Sequence, residues 1–234
     1  ALGMKDTVFV NCTGLPAQGQ HTTARDVARM AAALFGHELY YKYAGIWMDK
    51  VDHGDGRVTD LTNTNRLIRF YDGCDGLKTG SAEVSKYCLC ATAEKNGLRL
   101  IAIVLGTPVS QTRFNEARAM LDYGFNGYKR VTLLQKGDRL GYTVPVRLGL
   151  SDQVEAAAGS GISMLMKLGQ EKQLSLEVEL PDEVSAPIQA GDALGLVRVR
   201  LGDQVIAKVT AVAAQDVSMP GLLAGFLRLL TNWR

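Results

Sequence analysis

The stretch Asp75-Gly76-Leu77-Lys78-Thr79-Gly80, followed by Lys86–Ala93, Asn96-Gly97 and Leu98–Leu105, decides how this chain is read. Asp75-Gly76 reads as a turn, and Leu77–Gly80 leads out of it. Lys86–Ala93 is β-prone, Asn96-Gly97 is a hairpin turn signal, and Leu98–Leu105 is almost wholly apolar. The pattern predicts a buried antiparallel hairpin, central in a sheet. Downstream, Phe114, Ala117, Met120 and Leu121 recur at helical spacing, and Gly124 is a suitable residue to end that helix. Upstream, either Thr22 or Thr23 can cap a helix that carries Ala24, Val27, Ala28, Ala31, Leu34 and Phe35 and ends near Gly36. Thr23-x-x-Asp26 has the form of a capping box with Asp in place of Glu. Residues 37–73 are mixed, with a loop at His53-Gly54-Asp55-Gly56 and a turn-like run at Asn63-Thr64-Asn65-Arg66.

After about residue 129 the texture changes. Leu174–Leu180 alternates strictly, as a half-buried strand does. Leu196–Leu201, Gly202-Asp203 and Val205–Val212 form a second hairpin signal. We therefore expect three parts: a mixed α/β region over 1–128, a small all-β, sandwich-like domain over 129–216, and an amphipathic tail over 217–234. No internal repeat or low-complexity stretch is apparent. The tail places Leu222, Leu223, Phe226, Leu229, Leu230 and Trp233 on one helical face. At about 15 residues it is too short to span a bilayer but long enough to lie in the interface, and docking on the β domain is the alternative.

Composition excludes several classes. Of 234 residues, 47% are apolar and 21% charged, as in ordinary globular domains, so a disordered, collagen-like or coiled-coil chain is ruled out. No apolar run reaches ~18 residues, which removes a conventional membrane-spanning helix. Lys plus Arg is 26 and Asp plus Glu is 24, a net charge of +2, which makes no case for nucleic acid. Four cysteines are too few for a disulfide scaffold. Cys88 and Cys90 share a strand face and read as core or interface. With Cys74 they lack metal-ligand spacing, so no metal is expected, nor any cofactor. His21 reads as a structural turn residue, His37 and His53 as surface, and Asp72 and Asp75 as turn residues rather than general bases.

Lys78-Thr79-Gly80 is where chemistry is expected. An ammonium and a hydroxyl presented by a strand can hold an anionic peptide end, glycine admits a close backbone approach, and a free strand edge can pair with an extended peptide. The triplet alone reads more simply as a solvated lysine and a turn glycine; its setting beside the hairpin raises its weight. The wider sequence resembles the low-molecular-mass penicillin-binding proteins that are D-alanyl-D-alanine carboxypeptidases, a serine peptidase family. The matching stretches are Leu2–Thr7 with Phe9-Val10-Asn11, Gly14-Leu15, His21–Asp26, Asn63–Leu67, Asp75–Gly80, the Asn96-Gly97 hairpin and Tyr123-Gly124-Phe125, then the β domain and tail.

That resemblance implies the C-terminal part of a β-lactamase-like transpeptidase domain in residues 1–128. It implies an enzyme that removes the terminal D-Ala from peptidoglycan stem peptides through an acyl-enzyme and is acylated by β-lactams. Lys78 and Thr79 are implied as catalytic. Lys78, Thr79, Gly80, Ser81, Arg66 and Arg113 are implied around the substrate, with Ser81 standing where some relatives carry His. For Arg66 and Arg113 the plain alternative is a surface charge. The implied location is the outer face of the bacterial cytoplasmic membrane, reached by export, with 220–234 against the membrane surface. Ala1-Leu2-Gly3-Met4-Lys5-Asp6 is no signal peptide and reads like the middle of a domain. No serine here has Lys three positions on or Asn two positions on, so the family's Ser-x-x-Lys and Ser-x-Asn elements are missing. We therefore expect a C-terminal portion that is inactive by itself and that pairs with itself or with a chain supplying the missing segment. A non-catalytic cell-wall or scaffold module is the other class of reading; a β-lactamase is a third, disfavoured by the appended β domain.

Overall fold

Thr23 begins the first helix. Its backbone is extended, at φ −122° and ψ 157°, and its hydroxyl accepts the Asp26 N–H. The computed structural model describes residues 2–221, and the chain divides between Tyr128 and Lys129 into two compact units.

In the first unit, α1 (Ala24–Leu34) and α2 (Glu38–Tyr43) precede the hairpin of β1 (Met48–Asp52) and β2 (Val58–Thr62), then the short α3 (Leu67–Phe70). The antiparallel sheet of β3 (Cys74–Ala82), β4 (Lys86–Lys95) and β5 (Leu98–Thr107) follows, and α4 (Ser110–Gly127) closes the unit. Alternation along β4 sends Leu89, Ala91 and Ala93 into a core with Leu67 of α3, Tyr71 just after it, and Phe114, Ala117 and Leu121 of α4. Cys90 and Thr92 take the opposite face and are buried there. Small side chains on both the sheet and α4 let the helix approach closely: Ala91 and Ala93 of β4 and Ala117 of α4 are all at 0% exposure.

Several expectations change. The hairpin of β4 and β5 forms, but β4 alone is central among the described strands, and β5 lies at the edge. Asp75-Gly76 is not a turn; it lies inside β3 at a bulge, and a Cβ at Gly76 would collide with the Tyr40 hydroxyl. Gly124 does not end α4, which runs to Gly127; it packs against Leu100, where a Cβ would not fit. Asp26 does not complete a capping box. Its buried carboxylate accepts the Asp6 N–H at 3.0 Å and the Thr7 hydroxyl at 2.8 Å, and it pairs with Arg29, tying residues 6–7 to α1. The loop at His53–Gly56 connects β1 and β2, but the two strands carried no sequence signal because all ten of their residues are exposed.

The second unit is all-β. It contains β6 (Tyr128–Leu134), β7 (Arg139–Arg147), β8 (Gln153–Ala158), β9 (Ile162–Lys167), β10 (Leu174–Glu179), β11 (Val184–Ser185), β12 (Ala193–Leu201) and β13 (Gln204–Ala213). Six strands form one sheet in the order β10-β12-β13-β8-β7-β11, antiparallel except for β7 with β11, while β6 pairs with β9. Leu134 and Ile162 of that pair pack on Val197, Val199, Val209 and Ala211 of β12 and β13, which gives the sandwich its second layer. Each fully buried valine here contributes roughly 1.5–3 kcal/mol.

The second unit also contains a repeat that the sequence reading missed. Leu134-Gln135-x-Gly137-Asp138-x-Leu140-Gly141 recurs as Ile188-Gln189-x-Gly191-Asp192-x-Leu194-Gly195. The two turns share their hydrogen bonds. Gln135 N and Gln189 N donate to the Asp138 and Asp192 carboxylates. Gly137 N and Gly191 N donate to Ala158 O and Ala213 O, both at 2.8 Å. Gly137 and Gly191 sit at φ +90° and +96°, where a side chain is strained. β8 and β13, which follow the copies, pair antiparallel about Ala157↔Val212. Six shared positions, five of them identical, separated by strands of unequal length are too sparse to stand out in sequence. The expected tail lies, from residue 222 on, outside the described residues.

Candidate functional site

The site is built on the outer strand of the first sheet. β3 pairs only with β4 among the described strands, so its other edge is unpaired over Lys78–Ala82. Alternation turns Lys78 and Thr79 to opposite faces. Lys78 is exposed, and its Nζ donates to Thr79 O at 2.7 Å. Thr79 is buried, and its hydroxyl lies 2.6 Å from that of Thr64. Gly80 stands opposite Cys88, and exposed Ser81 borders a cleft of about 380 Å³ with Glu83, Lys86, Tyr87 and Pro108.

Thr64 reaches Thr79 because the Asn63-Thr64-Asn65-Arg66 run is clamped. Asn65 is fully buried; its Nδ2 donates to Gly76 O at 2.8 Å and its Oδ1 accepts the Leu67 N–H. Asn63 Oδ1 accepts the Asn65 N–H, and its Nδ2 donates to Ile46 O. Asparagine suits both places because one side chain offers donor and acceptor together. Neither asparagine nor Thr64 was singled out from sequence, although the run was recognised as turn-like.

Arg113 is no surface charge. It is 8% exposed, and its guanidinium donates to Gly80 O at 2.9 Å, Cys88 O at 3.2 Å and the Ser110 hydroxyl. The Phe114 and Tyr87 rings flank it at 4.8 and 5.4 Å. Burial lowers its pKa from the ordinary arginine value, and its Nε is a buried donor with no partner among the described residues. Arg66 is exposed and donates to Gln111 Oε1 at 3.4 Å. The two arginines line one cavity of about 700 Å³ with Trp47, Thr64, Phe70 and Phe114. Two guanidinium groups on partly aromatic walls favour a planar anion such as a carboxylate.

Behind β3, on the face of α1 and α2, Arg99 makes a bidentate pair with Asp75, both bonds at 2.8 Å, and also donates to Thr92 and Glu94. The Tyr40 hydroxyl donates to Asp75 O; burial first, and the neighbouring Asp75 charge second, hold its pKa well above the usual tyrosine value. This cluster fixes the start of β3. Cys90, on the same face, has its thiol pushed up to about 12 by burial, and Cys74 is raised for the same reason; neither is poised as a nucleophile. His21 bridges to Val8 with its ring nitrogen 2.8 Å from Gly19 O, and exposed His53 meets Thr59. The described residues contain no group of three or more His, Cys, Asp or Glu arranged to hold a metal, and no helix among them is long and apolar enough to cross a membrane.

Comparison with known proteins adds to this geometry. Residues 1–109 match the family model described as D-alanyl-D-alanine carboxypeptidase, and residues 128–219 match that described as Penicillin-binding protein 5, C-terminal domain. The D-alanyl-D-alanine carboxypeptidase DacF of Bacillus subtilis is 34% identical over 99% of this chain and 60% of its own length. DacC of Escherichia coli, also a D-alanyl-D-alanine carboxypeptidase, is 32% identical over 94% of this chain and 54% of its own. The solved structure of penicillin binding protein 5 from Haemophilus influenzae superposes with a TM-score of 0.64 at 25% identity, covering 93% of this chain and 62% of that one. The chain thus spans little more than half the length of these relatives.

Proposed function

The chain belongs to the D-alanyl-D-alanine carboxypeptidase family, and from that premise we propose that it carries the substrate-holding strand of a serine-type carboxypeptidase. The enzyme in this reading trims the terminal D-Ala from peptidoglycan stem peptides on the outer face of the cytoplasmic membrane and is acylated by β-lactams. One observation carries the reading: an unpaired strand edge bearing Lys78 and Thr79 is anchored by Arg113 beside a cavity lined by two arginines. An extended peptide adds to such an edge through main-chain hydrogen bonds. Its terminal carboxylate meets Arg66 and Arg113, Thr79 steadies the acyl carbonyl region, and Lys78 stabilises the proton network around the nucleophile.

In this assignment the nucleophile comes from a Ser-x-x-Lys segment, which these 234 residues do not contain. By itself the chain therefore forms no acyl-enzyme, because acyl transfer needs an activated serine with its base in hydrogen-bond reach. The same observation favours the second reading, a non-catalytic cell-wall module. The match of residues 128–219 to a penicillin-binding protein domain supports the carboxypeptidase assignment over a β-lactamase. Fluorescent penicillin labelling separates the readings. In a protein that joins these residues to a Ser-x-x-Lys segment of the family, Lys78→Ala is expected to slow acylation about 100-fold or more; a rate within threefold of the parent overturns the assignment. Mass spectrometry of the 234-residue chain after exposure to a β-lactam is expected to show no adduct, and an adduct on any of its serines overturns the dependence on another segment.

A further inference from the structure

The duplicated turn of the second unit is broken at one functional position. A cavity of about 370 Å³ lies between the copies, lined by Lys136, Gly137 and Arg139 from the first and by Ala190 and Gly191 from the second. In the second copy the Ala190 N–H donates to the Asp216 carboxylate at 2.7 Å. Lys136 is the matching residue of the first copy, and no acceptor meets its N–H or its Nζ among the described residues. Counting on from the matched pair Ala158 and Ala213, the counterpart of Asp216 is Gly161. A Cβ built on Gly161 would stand 3.2 Å from Leu134 O and 3.7 Å from Lys136 N. One turn therefore has its carboxylate built in, and the other has the same open N–H with glycine where the carboxylate would start.

We propose that the Lys136 turn binds a carboxylate group supplied by a small ligand, in the place that Asp216 fills at the other turn. The charges nearby agree with this. Arg139 is matched by Glu155 at 3.1 Å and reaches Gln215. The Asp138 carboxylate is turned onto the Gln135 N–H. Among the described residues that line the cavity, Lys136 is the cation left unmatched, on the same residue as the open N–H. A carboxylate there gains one backbone hydrogen bond and one ammonium contact, both charge-assisted. The adjoining cavity, walled by glycine and alanine, has room for more of the ligand than the acid group alone. Two sources share this chemistry: a free small acid, and a sugar that bears a carboxylate.

Amide NMR of the uniformly 15N-labelled chain tests the proposal with sodium acetate and N-acetylmuramate as probes, and with sodium chloride at equal ionic strength and N-acetylglucosamine as controls. The Lys136 amide is expected to shift saturably with the acids and to ignore both controls. A response to acetate alone supports the site with a small acid as its occupant; a response to both supports it with the sugar acid entering the cavity. Gly161→Asp, which supplies the carboxylate internally, is expected to weaken acetate binding about tenfold or more, while Gly161→Ala retains it. Asp216→Ala frees the Ala190 N–H and is expected to create an acetate response there, a readout that survives if Gly161→Asp fails to fold. The proposal is overturned if neither acid moves Lys136 in the parent, or if Gly161→Asp folds and binds acetate as the parent does.

Discussion

The two units bury different things. All six buried polar or charged side chains among the described residues, Asp26, Asn65, Thr79, Thr92, Thr107 and Arg113, belong to the first unit. The buried core of the second is valine, alanine, leucine, isoleucine and methionine, and its charges form a ladder outside, with Arg198 and Arg200 facing Glu177 and Glu179 across β10 and β12. Burying a polar group costs stability unless its hydrogen bonds are met. The first unit bears that cost where it fixes a position: Asn65 sets the loop that carries Thr64, Arg113 holds Gly80 O, and Asp26 holds residues 6–7. Among the described residues the second unit has a wholly apolar core. The first unit sets positions with directional bonds inside its core, whereas the second packs by non-directional burial and keeps its directional bonds at its turns and surface.

Four measurements test that contrast. The largest effect belongs to Asn65→Ala, which leaves Gly76 O and the Leu67 N–H without their side-chain partner in a fully buried place. We expect a loss of about 3 kcal/mol confined to the first unit, with faster amide exchange along β3. A loss below about 1 kcal/mol would mean that directional bonds do not hold this unit. Next, Val197→Ala removes two methyl groups from the apolar core of the second unit and should lower its stability by about 2 kcal/mol, leaving β3 exchange unchanged. Equal protection losses in both units would erase the distinction.

The third concerns acid. Burial alone would raise the Asp26 pKa, but the Thr7 hydroxyl, the Asp6 N–H and Arg29 outweigh it and hold the group below its ordinary 3.8. A carboxyl whose folded pKa is depressed stabilises above its unfolded pKa and loses that stabilisation as pH falls through the folded value. The first unit should therefore lose stability below about pH 3.8, and Asp26→Asn should flatten that slope; an unaltered slope in the variant would assign the acid sensitivity to another carboxylate. The smallest effect is expected on the ladder. Glu177→Gln should cost less than about 0.5 kcal/mol, and 1 M salt should remove the difference. A larger, salt-resistant loss would show that the second unit also depends on specific pairs.

Much of the fold was legible in the chain itself. The β4–β5 hairpin followed from Asn96-Gly97 between two apolar runs, α1 from Thr23 and its spaced alanines, and β10 from strict alternation, because each is a local pattern with one face buried. The β1–β2 hairpin was not legible, since neither of its faces is buried and no alternation marks it. Gly76 and Gly124 were misread because glycine marks both a turn and a close approach, and only the Tyr40 hydroxyl and the Leu100 side chain distinguish the two. Of the site, the residue types were readable from the chain alone: a Lys-Thr-Gly run on a strand, arginines upstream and downstream of it, and a hydroxyl-rich asparagine loop. The tertiary structure alone decided which of them meet. Thr64 meets Thr79 across 15 residues of sequence and Arg113 meets Gly80 across 33, and it took the folded sheet to show that a buried arginine holds the strand edge and that two distant turns are copies of one another. Local pattern reports what a segment buries, whereas hydrogen bonds between segments depend on distances that only the packed chain sets.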